Sequence, residues 1–167
     1  MSRVAAFLDR DGTLIEDVHH LVRPDQVRVL PGVPDAVRRL REAGYQVIVV
    51  TNQAGVARGL FTERDVADVH AHLATLIEVD AVYHCPHHPD FTGACDCRKP
   101  APGLLIRAIA ERGLDPRGCF VVGDKRSDVE AGRALGIPGY LVRTGYAEIG
   151  DWPTYDDLAA VVEARLA

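Results

Sequence analysis

Two carboxylates one residue apart, Asp9 and Asp11, follow directly on the apolar run Val4-Ala5-Ala6-Phe7-Leu8. In an extended chain residues i and i+2 share a face, so the pair emerges side by side where a buried strand ends. Two like charges held that close are costly unless a cation or a shared proton relieves them. The spacing points to metal binding, acid–base chemistry or both. The plainer reading is that Asp11-Gly12 only turns the chain at a strand end. A calcium loop is rejected, because Gly12 stands at the fourth position of the motif rather than the sixth, and a strand rather than a helix precedes it.

Two more apolar runs end in polar residues. Residues 45–50 stop at Thr51-Asn52-Gln53, and Cys119-Phe120-Val121-Val122-Gly123 stops at Asp124. A further cluster brings Cys85, His87, His88, Cys95 and Cys97 into one short loop. Three sulfurs and one imidazole nitrogen are the donors of a closed tetrahedral Zn2+ site. With four protein ligands no position is left for water, so such a zinc would be structural. Either histidine could be the fourth ligand on spacing alone. Cys119, at the start of an apolar strand, reads as core.

The elements that must position these residues alternate along the chain. Residues 4–8 read as a buried strand, and Val33, Ala36, Val37 and Leu40 recur at helical spacing before Gly44. The β-branched run 45–50 lacks alternation, as expected for a strand covered on both faces. Thr62-Glu63-Arg64-Asp65 forms a capping box with Asp in place of Glu, opening a helix whose expected buried face is Val66, Val69, Leu73, Leu76 and Ile77. A short strand at 81–83 leads into the Cys/His loop. A helix follows with Pro102 in its first turn, Leu105, Ala108 and Ile109 inward and Gly113 past its end. Strand 119–123, a helix opened by Ser127 or Asp128 and closed by Gly136, a last strand at 139–142, and a terminal helix marked by Leu158, Val161, Val162 and Leu166 complete the order. This alternation predicts an α/β fold over 1–167 as a single domain: a parallel sheet with helices on both faces. Ligand sites on such sheets lie beyond the carboxyl ends of the strands, which is where Asp9, Asp11, Thr51, Asn52 and Asp124 fall.

The chain has 167 residues, enough for a sizeable core. Its net charge of −5 disfavours a general nucleic-acid binder. No charged segment leads into an apolar one at the N-terminus, and no run is long enough to span a bilayer. The expectation is a cytoplasmic protein without membrane or nucleic-acid partners, monomeric or weakly oligomeric, with its thiols reduced.

Taken together, Asp9-Arg10-Asp11-Gly12-Thr13, Thr51-Asn52, Lys99-Pro100 and Gly123-Asp124 resemble the four ordered motifs of the haloacid dehalogenase superfamily of phosphotransferases. Cys85-Pro86-His87-His88 and Cys95-Asp96-Cys97-Arg98-Lys99-Pro100 are similar to the branch holding heptose bisphosphate phosphatases and bacterial histidinol-phosphate phosphatases. Residues 51–59 and Gly123-Asp124-Lys125 look closer to the heptose enzymes.

The resemblance implies a Rossmann-like fold and phosphate-ester hydrolysis with Mg2+, a hard ion suited to oxygen ligands. Asp9, Asp124 and the backbone carbonyl of Asp11 would hold the Mg2+. Asp9 would attack phosphorus and form an aspartyl-phosphate, and Asp11 would serve as acid and then base, its pKa raised by negative neighbours. Thr51 and Lys99 would stabilise the phosphoryl group. The zinc set becomes Cys85, His87, Cys95 and Cys97. Arg98 offers a planar fork for a second phosphate or for sugar hydroxyls. Asp17, His20, Asn52, Gln53, Arg58 and Lys125 complete the candidate substrate-binding set, and Asp128 is read as a favourable charge at a helix N-terminus. The stretch between Asp11 and Thr51 already supplies a helix and a strand, which leaves no room for a large cap. The site should be open, screened by the 14–30 loop and the zinc loop, and take a small phosphorylated sugar. Histidinol phosphate is the alternative substrate. A non-catalytic zinc-stabilised binding protein is the alternative class.

Overall fold

The computed structural model describes residues 1–167. Its centre is a six-stranded sheet in the order β3-β2-β1-β4-β5-β6. The strands are β1 (Val4–Leu8), β2 (Tyr45–Asn52), β3 (Ala81–Cys85), β4 (Phe120–Gly123), β5 (Gly139–Val142) and β6 (Thr154–Tyr155). Every pairing is parallel. The helices are α1 (Val33–Glu42), α2 (Glu63–Leu76), α3 (Pro89–Thr92), α4 (Gly103–Arg112), α5 (Arg126–Arg133) and α6 (Leu158–Leu166). This is a Rossmann-like fold without a large cap.

Alternation along β1 sends Ala6 and Leu8 to one face, Ala5 and Phe7 to the other. The first face packs on Val37 and Leu40 of α1, Val69 and Leu73 of α2, and Val161 and Val162 of α6. The second packs on Leu104, Leu105 and Ala108 of α4 and Ala131 of α5. Each fully buried Val, Leu or Phe side chain among these contributes about 1.5–3 kcal/mol. Burial on both faces explains why the strands read as continuous apolar runs. It also fixes where they can end, because the first charged residue must leave the sandwich at its rim.

Several boundaries differ from the sequence reading. β2 runs on through Thr51 and Asn52, because β3 is also longer and pairs them with His84 and Cys85. α5 opens at Arg126, one or two residues earlier than Ser127 or Asp128 suggested: the Lys125 N–H donates to Asp128 Oδ2 at 3.1 Å, making Asp128 a reciprocal cap from inside the helix. Leu76 is exposed rather than buried, since the chain leaves the helix there and Ile77 takes the inward place. Strand 139–142 is not the last. The short β6 adds beside it through Leu141 and Val142. The Thr62 capping box forms as expected, with Thr62 Oγ1 accepting from the Asp65 N–H at 3.1 Å. No helix is long and apolar enough to cross a membrane.

Candidate active site

β1, the central strand, delivers the first carboxylates. The Asp9 N–H still donates to Val122 O at 3.0 Å, as though the ladder continued. The chain then coils tightly, Leu14 and Ile15 both donating to Arg10 O. Gly12 makes this possible. It sits at φ +81°, and a Cβ there would fall 2.5 Å from Asp124 Oδ2. The close approach brings the end of β1 against the end of β4.

At this junction Asp9, Asp124 and Asp128 converge, their nearest carboxylate oxygens all within 4.8 Å of one another. All three side chains are buried. Burial and then the Asp9 charge push the Asp124 carboxyl up to about 8. The same two causes push Asp128 up to about 6. Asp124 Oδ2 accepts from the Tyr146 N–H at 2.8 Å, but Oδ1 is buried with no partner at all. An orphaned carboxylate oxygen among crowded negative charges fits a hard divalent cation with oxygen ligands.

Lys99 is the one cation in this floor. Its Nζ donates to Asp128 Oδ1 at 2.6 Å, Asp9 Oδ1 at 3.0 Å and Val50 O at 2.6 Å. Burial works against the ammonium, but the Asp128 and Asp9 charges outweigh it and hold the lysine protonated. Asp128, read from sequence only as a helix-end charge, is thus a member of the floor. Its spacing of four from Asp124 was the available signal, one that also fits an ordinary helix start.

The other strand ends behave in two ways. Thr51 Oγ1 accepts from Gln53 Nε2 at 2.9 Å, which leaves its own proton to give. Gln53 Nε2 also donates to Asp11 Oδ2 at 3.1 Å. Asn52, expected among the substrate-binding residues, spends its amide on the Lys99 backbone: Oδ1 accepts from Lys99 N at 3.0 Å and Nδ2 donates to Lys99 O at 3.2 Å. It clamps the lysine segment instead of standing free. Around the Asp11 carboxyl the close partners are donors, Arg10 and Gln53, rather than the negative neighbours expected from sequence.

Beyond β3, Cys85 Sγ and Cys97 Sγ are drawn together as a disulfide pair. Cys95 Sγ lies 3.7 Å from Cys85 Sγ and 3.8 Å from Cys97 Sγ. His87 Nδ1 lies 3.7 Å from Cys85 Sγ and 3.3 Å from Cys97 Sγ. A disulfide accounts for two of these groups and gives the other two no reason to converge. Tetrahedral zinc with bonds of about 2.3 Å sets its sulfurs about 3.8 Å apart, the spacing Cys95 Sγ keeps from both other sulfurs, and with all four donor atoms within 4.8 Å of one another the donor set suits that ion. His88 faces elsewhere, its Nδ1 accepting from the Asp90 N–H at the start of α3.

Over the acidic floor lies a cleft of about 500 Å³. Asp17, His20, Asn52, Gln53, Arg58, Arg98 and Lys125 all line it, as do Asp11 and Lys99. Arg98 and Arg58 have no carboxylate partner. Arg98 Nη1 reaches only His87 O at 3.5 Å, and Arg58 lies over the Phe91 ring and 3.4 Å from His88 Nε2. Lys125 Nζ sits 4.1 Å above the Tyr146 ring. His19, Phe61, Ser127 and Tyr146 also line the cleft and are not among the site residues read from the sequence. Tyr146 lies past the strand taken to be the last, where no periodicity marked it.

Comparison with known proteins bears on the whole of this arrangement. The haloacid dehalogenase-like hydrolase model matches residues 6–80, and a second, HAD-hydrolase-like model matches residues 96–164. A D-glycero-beta-D-manno-heptose-1,7-bisphosphate 7-phosphatase of Rhodopseudomonas palustris is 42% identical, covering 83% of this chain and 82% of its own. The enzyme of the same description from Escherichia coli K12 is 40% identical over 84% of this chain and 80% of its own. The chain belongs to the haloacid dehalogenase superfamily. A crystal structure of D,D-heptose 1,7-bisphosphate phosphatase from B. bronchiseptica, complexed with magnesium and phosphate, superposes with a TM-score of 0.88 at 34% identity and 98% coverage of both chains. A putative HAD-like phosphatase from Mesorhizobium loti gives 0.85 at 34% identity, with 98% of this chain and 88% of that one covered.

As a haloacid dehalogenase phosphatase, the chain is a phosphoric monoester hydrolase. The parallel sheet gathers its three polar strand ends on one rim, and the loop after β3 brings Lys99 to them.

Proposed function

We propose that this chain is a Mg2+-dependent phosphatase that removes the C7 phosphate of D-glycero-D-manno-heptose 1,7-bisphosphate through a phosphorylated Asp9. The observation that carries the reading is a division of positive charge. Lys99 is locked into the acidic floor, where one phosphate reacts, while Arg98 and Arg58 stand at the cleft with no carboxylate to neutralise them. A substrate with two separated phosphates matches that division. A monophosphate does not.

Asp9, Asp124 and the backbone carbonyl of Asp11 would hold Mg2+, with Asp128 beside them. The ion would neutralise the repulsion between these carboxylates and a phosphate dianion. Asp9 attacks phosphorus in line, its carboxylate oriented by Lys99 at 3.0 Å. Thr51 gives its hydroxyl proton to a phosphoryl oxygen, and Lys99 adds fixed positive charge beside it. Asp11 protonates the departing sugar alkoxide and then takes a proton from the water that frees Asp9. Cys85, His87, Cys95 and Cys97 would hold a structural zinc, tying down a loop with little apolar content and fixing Arg98 and Lys99 at its end.

A substrate panel tests this reading. With Mg2+, kcat/KM for either anomer of heptose 1,7-bisphosphate should exceed that for histidinol phosphate by at least about tenfold, the least that one lost charged contact implies. Both anomers belong in the panel, although the relatives' names specify beta. A preference for histidinol phosphate would overturn the substrate assignment and leave the phosphatase chemistry standing.

A further inference from the structure

Arg10 stands between the two carboxylates of the motif, and the mechanism above gives it nothing to do. Its side chain is nonetheless 2% exposed, the largest among those almost wholly out of water. A buried guanidinium is costly unless its donors are met. Two are met by one carboxylate: Nε lies 3.1 Å from Asp11 Oδ2 and Nη2 3.0 Å from Asp11 Oδ1. On the other side Nη1 meets His70 Nε2 at 3.1 Å, across sixty residues of sequence.

His70 projects from α2, with the His84 ring 5.9 Å away and Glu63 Oε2 2.6 Å beyond that on His84 Nε2. Burial first, then the Arg10 charge and His84, push the His70 imidazole down to about 3. The ring is therefore neutral, and its Nε2 is an acceptor for the arginine. A planar fork held at one end and bidentate at the other fixes the plane of the carboxylate it grips.

We infer that Arg10 and His70 are positioning residues for Asp11: the histidine fixes the roll of the guanidinium, and the guanidinium, with Gln53 on Oδ2, leaves one lone pair of Asp11 Oδ1 to carry the proton to the leaving oxygen. This rests on Asp11 being the acid–base group, but not on which sugar is the substrate. The alternative is that the pair only satisfies a buried charge and supports the fold.

Leaving-group dependence separates the two. An alkoxide needs a proton as it departs, whereas p-nitrophenolate leaves without one, and kcat/KM reports the first irreversible step. His70→Leu removes the acceptor, and His70→Gln supplies an amide oxygen within similar reach. His70→Leu should lose about tenfold or more in kcat/KM on an alkyl phosphate, part of the 10²–10⁴-fold that a positioned acid supplies. It should lose no more than about threefold on p-nitrophenyl phosphate, and His70→Gln should recover most of the alkyl-ester rate. Equal losses on both esters, an unchanged alkyl-ester rate in His70→Leu, or no recovery with glutamine would each overturn the inference. If the leucine variant does not fold, His70→Ala and Arg10→Lys read the same ratio of rates. Wild-type inactivity on both esters would instead remove the proposed function, and this inference with it.

Discussion

Arg98→Ala separates a bisphosphatase from a general monoesterase. Arg98 is half-buried beside Lys99, and its contact with the rest of the chain is a 3.5 Å reach to His87 O, beyond the usual hydrogen-bond range. Truncation should therefore cost the fold less than about 1 kcal/mol. A phosphate seated on the guanidinium is another matter. Opposite unit charges about 4 Å apart near a protein surface attract by about 4 kcal/mol before salt screening, which sets the ceiling. Hydrogen bonds to charged groups measure about 1.5–3 kcal/mol, or roughly 10- to 150-fold in kcat/KM for the bisphosphate. p-Nitrophenyl phosphate lacks the far phosphate and should change little. Steady-state kinetics on both esters, with thermal melting as a control, gives the answer. Equal losses on the two substrates would place Arg98 at the reacting phosphate and refute the division of charge on which the substrate assignment rests.

The remaining expectations concern the floor and the metal sites. Asp9→Asn should abolish turnover, because an amide is a poor nucleophile, and Asp11→Asn should bind Mg2+ yet lose turnover; a working Asp9→Asn enzyme in a kinetic assay would remove the nucleophile assignment. Zinc should be found by elemental analysis at about one equivalent per chain, and Cys95→Ser should lower both Tm and turnover; protein purified without chelators and free of zinc would contradict this. The folded-state values of about 8 for Asp124 and about 6 for Asp128 lie above ordinary carboxylates. The metal-free fold thus holds protons more tightly than the unfolded chain, and its stability falls as pH rises through that window. Mg2+ requires the ionised carboxylates, so the Tm gain on adding Mg2+ should be larger at pH 8 than at pH 6. An equal gain at both would show that these carboxylates are not the site.

The parts of this fold legible in the sequence are those written by local chemistry. β1 stops at Leu8 because Asp9 cannot continue a buried strand, and α2 starts at Thr62 because its cap is complete within four residues. The three polar strand ends could be placed on one rim because a parallel sheet leaves them no other. What was hidden depends on partners distant in sequence. Asn52 looks like any polar strand end, and its role follows only from the Lys99 backbone lying against it. Nothing in the period of α2 marks His70, whose place follows only from Arg10 lying against it. Leu76 satisfied the helical period yet sits where the chain leaves the core, and β6 is too short to carry a period of its own.

The central claim is chemical and regiochemical at once: this site takes the phosphate from C7 and leaves the one at C1. Phosphorus NMR of heptose 1,7-bisphosphate, followed in time with enzyme and Mg2+, observes both groups in one sample. The account predicts that the C7 ester signal disappears in step with the growth of inorganic phosphate while the C1 phosphate signal persists. Loss of the C1 signal, or a bisphosphate left intact by enzyme that still hydrolyses p-nitrophenyl phosphate, would contradict it.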